Sequence, residues 1–317
     1  MFLEVSSRRD IADDVIELSF RDRDGGPLVD WEPGAHIDLT VSPGVVRQYS
    51  LCGRPSDRQH YRIAVLREAS GRGGSRAVHD IVQVGSVFEV AGPRNNFALE
   101  PVPGYLFIAG GIGITPIIPM IDTAISSGAD WQLVYGGRHR TSMAYTEELE
   151  QLGPNVSIRP QDVDGLLDIE GALSRCAPDT LIYCCGPEPL LRAVEDHCER
   201  RQLLSSLRLE RFQARQPTDD VIDAEFEIEL GCSGRVLTVP ADRSVLDVLR
   251  DCGIDVISSC EEGVCGSCEI PVRSGIPEHR DSILTDEERA AGDRMMVCVS
   301  RSRSARLCLD VKPADAT

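Results

Sequence analysis

Three cysteines lie close together in the last third of the chain, and a fourth follows after a long gap. Cys260, Cys265 and Cys268 have the spacing Cys-x4-Cys-x2-Cys, and Cys298 comes after 29 further residues. This is the plant-type spacing in which four thiolates hold a 2Fe–2S cluster. Iron–sulfur clusters require soft, deprotonated sulfur ligands, which cysteine supplies. The spacing therefore predicts a 2Fe–2S cluster bound by these four residues.

A zinc site or a set of inert buried thiols is the alternative interpretation of these cysteines. Zinc usually takes its ligands from two short-spaced pairs, whereas only one such pair is present and Cys298 lies alone in the apolar segment Met295–Val299. Gly263 and Gly266 would let the loop wrap closely around the inorganic sulfides, and nearby serines could donate hydrogen bonds to sulfur. These serines are Ser258, Ser259 and Ser267. The cysteines that fit no ligand spacing are expected in the core: Cys52, Cys176, Cys184, Cys198, Cys232, Cys252 and Cys308.

The length and composition of the chain predict a fully folded protein of several domains. At roughly 100–150 residues per domain, 317 residues correspond to two or three domains. The formal net charge of −18 argues against binding to nucleic acids or anionic membranes, which requires clustered basic residues. No apolar segment typical of signal peptides follows Arg8 and Arg9, and glycines and prolines interrupt the longest uncharged run, Tyr105–Ile121. We expect a cytoplasmic protein whose cysteines serve metal or redox chemistry.

The hydrophobic pattern changes twice along the chain and divides it into three regions. Residues 1–103 contain short alternating runs between glycine and proline turns, which predicts an antiparallel barrel or sandwich. Residues 104–216 alternate apolar strands with helices, which predicts a parallel sheet covered by helices. A polar linker is predicted at 217–223, and 224–317 begin as a hairpin followed by a helix that is capped at Ser244. In the second region, the expected strands are Tyr105–Ala109, Trp131–Tyr135 and Thr180–Cys184, and the expected helices begin at Pro116, Ser142 and Glu188.

A glycine-rich loop follows the first expected strand of the second region. Residues 109–116 have the sequence Ala-Gly-Gly-Ile-Gly-Ile-Thr-Pro, so Thr115 can cap the next helix and Pro116 fits its first turn. The glycines would let the backbone approach a pyrophosphate, and the helix N-terminus would supply amides and a favourable dipole. The spacing differs from the dinucleotide fingerprint G-x-G-x-x-G, and a tight turn without a ligand is an equally good explanation of this loop alone.

A second loop at the same sheet edge favours the nucleotide interpretation. Cys185, Gly186 and Pro187 follow another expected strand. In open parallel sheets, ligands bind at the carboxyl ends of the strands, where both loops would lie. Cys185 would then face the nicotinamide ring.

The barrel region contains the segment Arg47-Gln48-Tyr49-Ser50. Strand alternation puts Arg47 and Tyr49 on one side, so a cationic group for an anion and an aromatic platform could share a face. Residues 71–75, Gly-Arg-Gly-Gly-Ser, form a second amide-rich loop that could hold a phosphate. Taken singly, these segments are explained at least as well by an ordinary strand and a flexible loop.

In this order, the segments together resemble the phthalate dioxygenase reductase family of iron–sulfur flavoproteins, which includes vanillate O-demethylase reductases. The resemblance covers essentially the whole chain, with the ferredoxin domain last. The segments that carry it are residues 47–50, 73–75, 110–116, 185–187, 258–268 and 296–300.

The resemblance implies a six-stranded antiparallel FMN-binding barrel, a parallel α/β domain for NADH and a C-terminal β-grasp 2Fe–2S ferredoxin domain. Arg47 would contact the FMN phosphate, Tyr49 would pack on the cofactor and Ser50 would lie near flavin N5. The implied FMN-binding residues are Arg47, Gln48, Tyr49, Ser50, Val65, Gly73, Gly74 and Ser75. The implied nucleotide-binding residues are Gly110, Gly111, Gly113, Thr115, Pro116, Cys185, Gly186 and Pro187. The implied catalytic residues are Ser50, Cys185, Glu210 and Phe212, and Arg138 is either a ribose or phosphate contact or a solvated side chain.

The family's activity implies that NADH gives a hydride to FMN, and that single electrons then pass through the cluster to a separate terminal oxygenase. A Rieske-type oxygenase of aromatic compounds is the expected partner, and a cytochrome P450 is the alternative. A stand-alone flavin reductase would not need the four cysteines, and a redox sensor would not need the flavin and nucleotide segments. The oligomeric state is expected to be a monomer.

The remaining titratable residues are not expected to be catalytic. The histidines are predicted to be satisfied surface or core residues: His36, His60, His79, His139, His197 and His279. Asp281, Asp286, Glu287 and Glu288 are predicted to form a solvated face. From Asp219 to the end there are 11 basic and 21 acidic residues, so this surface is predicted to steer a basic docking patch on the partner.

Overall fold

The structure, a computed structural model, describes the chain with five short gaps. The described residues are 1–42, 45–68, 73–213, 223–231 and 233–311. The chain divides into two units, Met1–Arg211 and Phe212–Thr317. Most of the predicted linker 217–223, the first two residues of the loop 71–75 and Cys232 lie outside the described residues. The predicted domain boundaries stay predictions.

The first unit begins with a curled antiparallel sheet of six strands in the order β4-β3-β6-β1-β2-β5. The elements are β1 (Phe2–Ala12), β2 (Val15–Asp22), β3 (Ala35–Ser42), β4 (Val45–Ser50), β5 (Tyr61–Leu66), α1 (Gly74–Ile81) and β6 (Val87–Asn95). Alternating apolar residues of these strands, such as Leu18, Phe20, Ile37 and Leu39, are buried together in one core. The predicted six-stranded barrel is confirmed.

A parallel sheet of five strands in the order β11-β10-β7-β8-β9 completes the first unit. Its strands are β7 (Gly104–Gly110), β8 (Asp130–Gly137), β9 (Val156–Pro160), β10 (Thr180–Cys185) and β11 (Leu207–Glu210). Its helices are α2 (Ile117–Ser127), α3 (Thr146–Glu150), α4 (Gln161–Asp164), α5 (Ile169–Leu173) and α6 (Glu188–Arg200). Apolar cores cover both faces of this sheet, as expected for parallel strands.

The three strands predicted for this region are present, whereas the helix expected from Ser142 is confined to Thr146–Glu150. The edge strands Val156–Pro160 and Leu207–Glu210 were not predicted, because they are short and carry polar residues in alternate positions.

The second unit contains a mixed sheet in the order β13-β12-β18-β14-β16 and a small second sheet of β15 and β17. Its elements are β12 (Phe226–Leu230), β13 (Arg235–Val239), α7 (Val245–Asp251), β14 (Glu269–Ser274), β15 (Pro277–Glu278), α8 (Asp286–Ala291), β16 (Arg294–Met296), β17 (Arg301–Ser302) and β18 (Arg306–Leu309). The predicted hairpin and helix are confirmed, because α7 starts at a capping box formed by Ser244 and Asp247. A mixed sheet packed against one helix is the predicted ferredoxin-like arrangement.

Among the described residues, no helix has the length and apolar character needed to cross a membrane.

Candidate functional site

The four predicted cluster cysteines are buried, each between 2% and 9% exposed. Cys260, Cys265 and Cys268 lie in the loop between α7 and β14, and Cys298 follows β16. Their thiols form two hydrogen-bonded pairs, Cys260 with Cys265 and Cys268 with Cys298. The hydrogen bond from Cys260 lowers the pKa of Cys265 below its ordinary value. Two adjacent thiol pairs fit a cluster with two irons, since each iron takes two of the four thiolates. Within the described ranges, no three His, Cys, Asp or Glu side chains surround a single point as the ligands of one metal ion would, so the four cysteines are grouped as two pairs and not around one ion.

Hydrogen-bond donors of the same loop are directed at the sulfur atoms. The Glu262 amide donates to Cys260 Sγ at 3.3 Å, and the Ser267 amide donates to Cys265 Sγ at 3.5 Å. The Ser267 hydroxyl lies 2.9 Å from Cys265 Sγ. Such bonds stabilise anionic sulfur and tune the electron affinity of a cluster. Ser258, in contrast, hydrogen-bonds to charged side chains.

Gly263 lies where the cysteine loop meets the segment before α8. Its φ of +68° is in the left-handed region, and a Cβ there would lie 3.0 Å from Asp281 Cα. The Ser282 amide donates to the Gly263 carbonyl at 2.8 Å. The close approach therefore requires glycine, and the segment that follows Asp281 packs directly on the cluster loop.

The prediction that Asp281 belongs to a solvated face is wrong. Asp281 is 0% exposed, and its carboxylate accepts hydrogen bonds from the Leu284 amide at 2.9 Å and from Arg289 at 3.4 Å. The residue precedes α8 and caps a turn, so it does not share the helix face of Glu287 and Glu288, which are exposed and half-exposed. The Asp286 side chain lies outside the described part of the chain.

The structure brings Arg47 of β4 against the glycine loop before α1. A Cβ on Gly74 would lie 2.2 Å from Arg47 Nε. Gly73 has a φ of +84° and precedes the first turn of α1. A guanidinium therefore lies beside helix N-terminal amides, and this combination suits a phosphate group. The Ser75 hydroxyl accepts a hydrogen bond from the Glu68 amide at 3.1 Å.

The other predicted flavin residues differ in how they are held. The Gln48 side chain donates to Asp38 at 2.9 Å and is thereby tied to β3. Ser50 is buried at the end of β4, and Tyr49 has a raised pKa because burial disfavours its ionised form. The Val65 side chain lies in the barrel core, which leaves its backbone as the group that could face a cofactor.

Two histidines contradict the prediction that all six are satisfied. His36 is buried opposite Ser50 in the β3–β4 ladder, and its Nε2 has no hydrogen-bond partner among the described residues. Burial, followed by the nearby Arg94, lowers the pKa of His36 to about 4. Both ring nitrogens of His279 are likewise buried without a hydrogen-bond partner in the described part of the chain. Both side chains are therefore expected to be neutral at pH 7.

The two predicted nucleotide loops pack on each other at the carboxyl ends of the neighbouring strands β7 and β10. A Cβ on Gly113 would lie 2.3 Å from the Cys185 carbonyl oxygen, and one on Gly186 would lie 3.0 Å from Gly110 Cα. Gly111 has a φ of +55°, and a Cβ there would meet nothing within 4 Å. Gly110 and Gly113 are thus needed for loop-to-loop contact, and Gly111 is the glycine that borders open space.

The prediction that Thr115 caps the helix is wrong. Residues 111–114 form a 3-10 turn, and Thr115 itself has helical angles, φ −60° and ψ −48°. Its hydroxyl donates back to the Ile112 carbonyl at 3.0 Å. The Thr115 hydroxyl therefore makes no capping hydrogen bond to α2, and Pro116 is the residue that precedes the first turn of this helix.

Cys185 and Glu210 are paired across β10 and β11. Cys185 Sγ lies 3.8 Å from Glu210 Oε2. Burial of the carboxyl group raises the pKa of Glu210 to about 8, and burial, followed by Glu210, raises the pKa of Cys185 well above its ordinary value. At neutral pH, both groups therefore carry a proton and the pair is uncharged.

The predicted roles of Phe212 and Arg138 stay predictions. Phe212 belongs to the second unit and is 37% exposed, so its predicted place beside the flavin stays a prediction. Arg138 is exposed after β8, and its contact with a nucleotide also stays a prediction. Sequence reasoning missed Tyr135, whose hydroxyl donates to the Gly111 carbonyl at 3.2 Å and supports the loop from β8. An apolar strand pattern does not distinguish this tyrosine from a core residue.

Comparisons with known proteins agree with this geometry. A family model described as 2Fe-2S iron-sulfur cluster binding domain matches residues 228–303, and one described as oxidoreductase NAD-binding domain matches residues 107–164. The phenoxybenzoate dioxygenase subunit beta of Ectopseudomonas oleovorans is 41% identical over 304 residues, covering 95% of this chain and 94% of the relative.

Two solved structures are similar over nearly the whole chain. The structure of phthalate dioxygenase reductase, described as modular for electron transfer from pyridine nucleotides to 2Fe–2S, is 36% identical with a TM-score of 0.73 and 98% coverage of both chains. An intact type IV self-sufficient cytochrome P450 monooxygenase is 42% identical with a TM-score of 0.88. This chain is covered to 98% and spans 41% of that longer one.

The fold and the three sites define an NADH-dependent iron–sulfur flavoprotein oxidoreductase. The chain belongs to the phthalate dioxygenase reductase family, as the sequence resemblance predicted. It is a reductase component that passes electrons from NADH through FMN and a 2Fe–2S cluster to a separate terminal oxygenase. When bound, FMN and the cluster supply the conversion of a two-electron hydride into single electrons.

Proposed function

We propose that the terminal oxygenase served by this reductase is a Rieske-type enzyme that acts on an aromatic compound. The phenoxybenzoate dioxygenase subunit carries this proposal, since it corresponds to this chain along 94% of its own length. A cytochrome P450 is the second candidate, because this chain is 42% identical to part of a P450 monooxygenase.

Electron delivery to two acceptors distinguishes these candidates. NADH is mixed anaerobically with the holoenzyme and with either a purified Rieske dioxygenase of an aromatic carboxylate or a purified P450 that has no reductase domain. We expect the Rieske centre, followed by its EPR signal, to be reduced at least about tenfold faster than the haem, followed as its carbon monoxide complex. Faster reduction of the haem would replace the Rieske proposal with the P450 one.

We also propose that the partner docks over the surface beside Cys260. Ile257 lies three residues before this ligand and is 80% exposed, and the carboxylates of Asp255 and Glu261 are exposed beside it in the chain. Glu261 is paired with Arg250 at 2.7 Å, so Asp255 contributes most to the acidity of this surface. An apolar centre with an acidic rim suits a partner surface with an apolar centre and basic rim. The excess of acidic over basic residues from Asp219 onward also favours a partner with a basic surface.

The variant Ile257→Asp tests this docking site, with Val236→Asp as the matched control. Val236 is an exposed apolar residue on β13, so its substitution adds the same charge to the same unit. We expect Ile257→Asp to raise the KM for the oxygenase about tenfold and to leave the reduction of ferricyanide, a small acceptor, unchanged. Equal effects of the two variants, or a KM that does not depend on ionic strength, would contradict the proposed surface.

The remaining assignments form part of the same proposal. Arg47 with Gly73 and Gly74 holds the FMN phosphate, and Tyr49 and Ser50 contact the flavin. The two glycine loops hold the nucleotide, with Cys185 beside the nicotinamide. A monomeric state, and a cytoplasmic location where NADH and free thiols are both maintained, complete the proposal.

A further inference from the structure

A buried polar cluster joins the barrel to the parallel sheet outside the predicted cofactor-binding segments. Tyr145 is its centre: the hydroxyl donates to Glu17 Oε2 at 3.0 Å and lies 3.4 Å from Cys52 Sγ. Arg62 lies over the tyrosine ring at 5.9 Å, and its Nη2 donates to the Cys52 carbonyl at 3.0 Å. Glu17 also accepts from Arg9 at 2.6 Å. We call Tyr145, Cys52 and Glu17 the tyrosine latch.

On the barrel side, the tyrosine latch holds the residues directly after β4, the strand that carries Tyr49 and Ser50. Cys52 is two residues beyond Ser50, which corresponds to about 7 Å along an extended chain. The Cys52 amide donates to the Arg62 carbonyl at 2.8 Å, and the Leu51 amide donates to the Ala35 carbonyl at 2.8 Å. A displacement of Cys52 would therefore move the end of β4, where Ser50 lies.

On the other side, the latch is anchored to the strand beside the glycine loop. Met143 packs against Gly137 at the end of β8, where a Cβ would lie 2.3 Å from Met143 Cγ. Tyr145 follows two residues later with a φ of +62°. A bulky residue rarely adopts this left-handed conformation, and such strain persists where surrounding contacts impose it.

The Tyr145 side chain is packed in the apolar core of this unit and also borders a cavity. The tyrosine lines a cavity of about 920 Å³ between the barrel and α3. Charged groups around this cavity are paired with each other, for example Arg54 with Asp122 at 3.9 Å and His60 with Asp57 at 3.2 Å. The hydroxyl contacts therefore join the two domains together with the Arg54–Asp122 pair and the hydrogen bond from the Asp13 amide to the Thr141 carbonyl, and among these they are the ones that reach Cys52.

We propose that Tyr145 is a positioning residue for hydride transfer. Through Cys52 and Glu17, it fixes the end of β4, where Ser50 lies, relative to the two nucleotide loops at 110–116 and 185–187. Hydride transfer depends steeply on the separation of donor and acceptor, and a displacement of about 1 Å can cost a factor of about one hundred. The inference rests on the NADH-to-FMN step of this family and does not depend on which oxygenase is the partner.

Tyr145→Phe in the holoenzyme tests the latch, because it removes the hydroxyl and keeps the ring. Tyr61→Phe is the matched control, since the buried Tyr61 hydroxyl donates to the Val29 carbonyl within the barrel. We expect Tyr145→Phe to slow flavin reduction at saturating NADH about tenfold, with a change of less than about twofold in the Kd for NADH. Its NADH–flavin charge-transfer absorbance is expected to fall, and the amides of Leu51 and Cys52 are expected to exchange hydrogen faster. Tyr61→Phe is expected to change none of these values.

A second set of variants keeps the test decisive if Tyr145→Phe folds poorly. Cys52→Ala is expected to reproduce the rate loss, and Cys52→Ser, which keeps a polar partner, is expected to restore most of it. The double variant Tyr145→Phe with Cys52→Ala is expected to be no slower than the slower single variant, because both remove the same contact. Unchanged flavin reduction and amide exchange in Tyr145→Phe and Cys52→Ala, with lower thermal stability only, would show that the latch is structural and would overturn the proposal.

Discussion

The cysteine loop and the nucleotide edge both contain closely packed glycines, but they use them differently. At Gly263, glycine permits a turn with a φ of +68° and contact with the segment that follows Asp281, while the metal ligands are the side chains of the loop. At Gly113, glycine allows one backbone to lie against the carbonyl of Cys185. Function therefore depends on side-chain chemistry in the first site and on the separation of two backbones in the second.

This difference determines how each site should respond to substitution. Four thiolates act as one unit, so removal of one of them is expected to remove the function of the whole group. The effect of a substitution between two close backbones is gradual, since the loops can separate by fractions of an ångström and the cost in free energy rises with the separation.

Loss of one cluster ligand is expected to have the largest effect. Cys265→Ala should leave a purified protein with far less than the approximately two irons per chain expected of the wild type. Electron transfer to a Rieske oxygenase should fall more than about one hundredfold, because the cluster is the one-electron carrier, and flavin reduction by NADH should stay within about twofold. Iron analysis and stopped-flow absorbance measure both outcomes.

Cys252→Ala provides the control for this prediction, because Cys252 is a half-buried cysteine of the same unit outside the four-ligand spacing. It should retain its iron and its rates. Full iron content in Cys265→Ala, or loss of iron in Cys252→Ala, would show that the ligand set is wrongly assigned.

Two glycine substitutions test the nucleotide edge. Gly113→Ala should force the loops apart and lower the free energy of unfolding of this unit by about 3 kcal/mol, with a Kd for NADH raised at least about tenfold. Gly111→Ala meets open space, so only its left-handed φ should cost stability, about 1 kcal/mol. Its methyl group would nevertheless point to where the nucleotide is proposed to bind, and we expect weaker NADH binding here too. Thermal unfolding and NADH titration separate the two effects.

Gly128→Ala serves as the reference for left-handed strain, because Gly128 has a φ of +71°, borders open space and ends α2. It should match Gly111→Ala in stability and the wild type in NADH binding. If Gly111→Ala bound NADH as tightly as the wild type, the proposal that the nucleotide binds beside this glycine would be wrong.

Much of the cysteine loop and of the nucleotide edge could be predicted from the sequence, because the features that define them are local. The ligand spacing of Cys260, Cys265 and Cys268 is a local property of the chain, and so is the capping box at Ser244. The apolar runs of β7 and β10 likewise predict buried parallel strands, which places both loops at one sheet edge.

The residues that were wrongly assigned depend on tertiary contacts. Asp281 belongs to an acidic run that resembles a solvated helix face, and only the fold shows that it is buried against the cysteine loop. Thr115 has the composition of a helix cap, but the preceding 3-10 turn already gives it helical angles. The contact of Arg47 with Gly74 was not wrongly assigned, but it came from the family resemblance: it joins two segments 27 positions apart in the chain, and no local pattern predicts that approach.

Glu210 is expected to give the most gradual effect, a pH dependence of stability that originates at the nucleotide edge. Its pKa is about 8 in the folded protein, compared with about 4.5 for an unperturbed glutamate. Between these values, the folded state holds a proton that the unfolded state has released, so stability falls as pH rises. For one proton, the change is about 1.4 kcal/mol per pH unit, or roughly 3–6 °C in Tm for a unit of this size. The Tm between pH 5 and pH 8 measures this slope.

Glu210→Gln isolates this contribution, because glutamine keeps the shape and can still accept a hydrogen bond from Cys185. The variant should lose the Glu210 part of the slope, and its Tm should exceed that of the wild type most clearly near pH 8, where the wild-type carboxyl group begins to ionise inside the protein. Ionisation of Cys185 does not contribute to the slope between pH 5 and pH 8, because its own pKa lies well above this range. Equal slopes in the two proteins would mean that the folded protein holds Glu210 as a carboxylate. The sheet edge beside the proposed nicotinamide position would then carry a negative charge, and the uncharged Cys185–Glu210 pair would have to be abandoned.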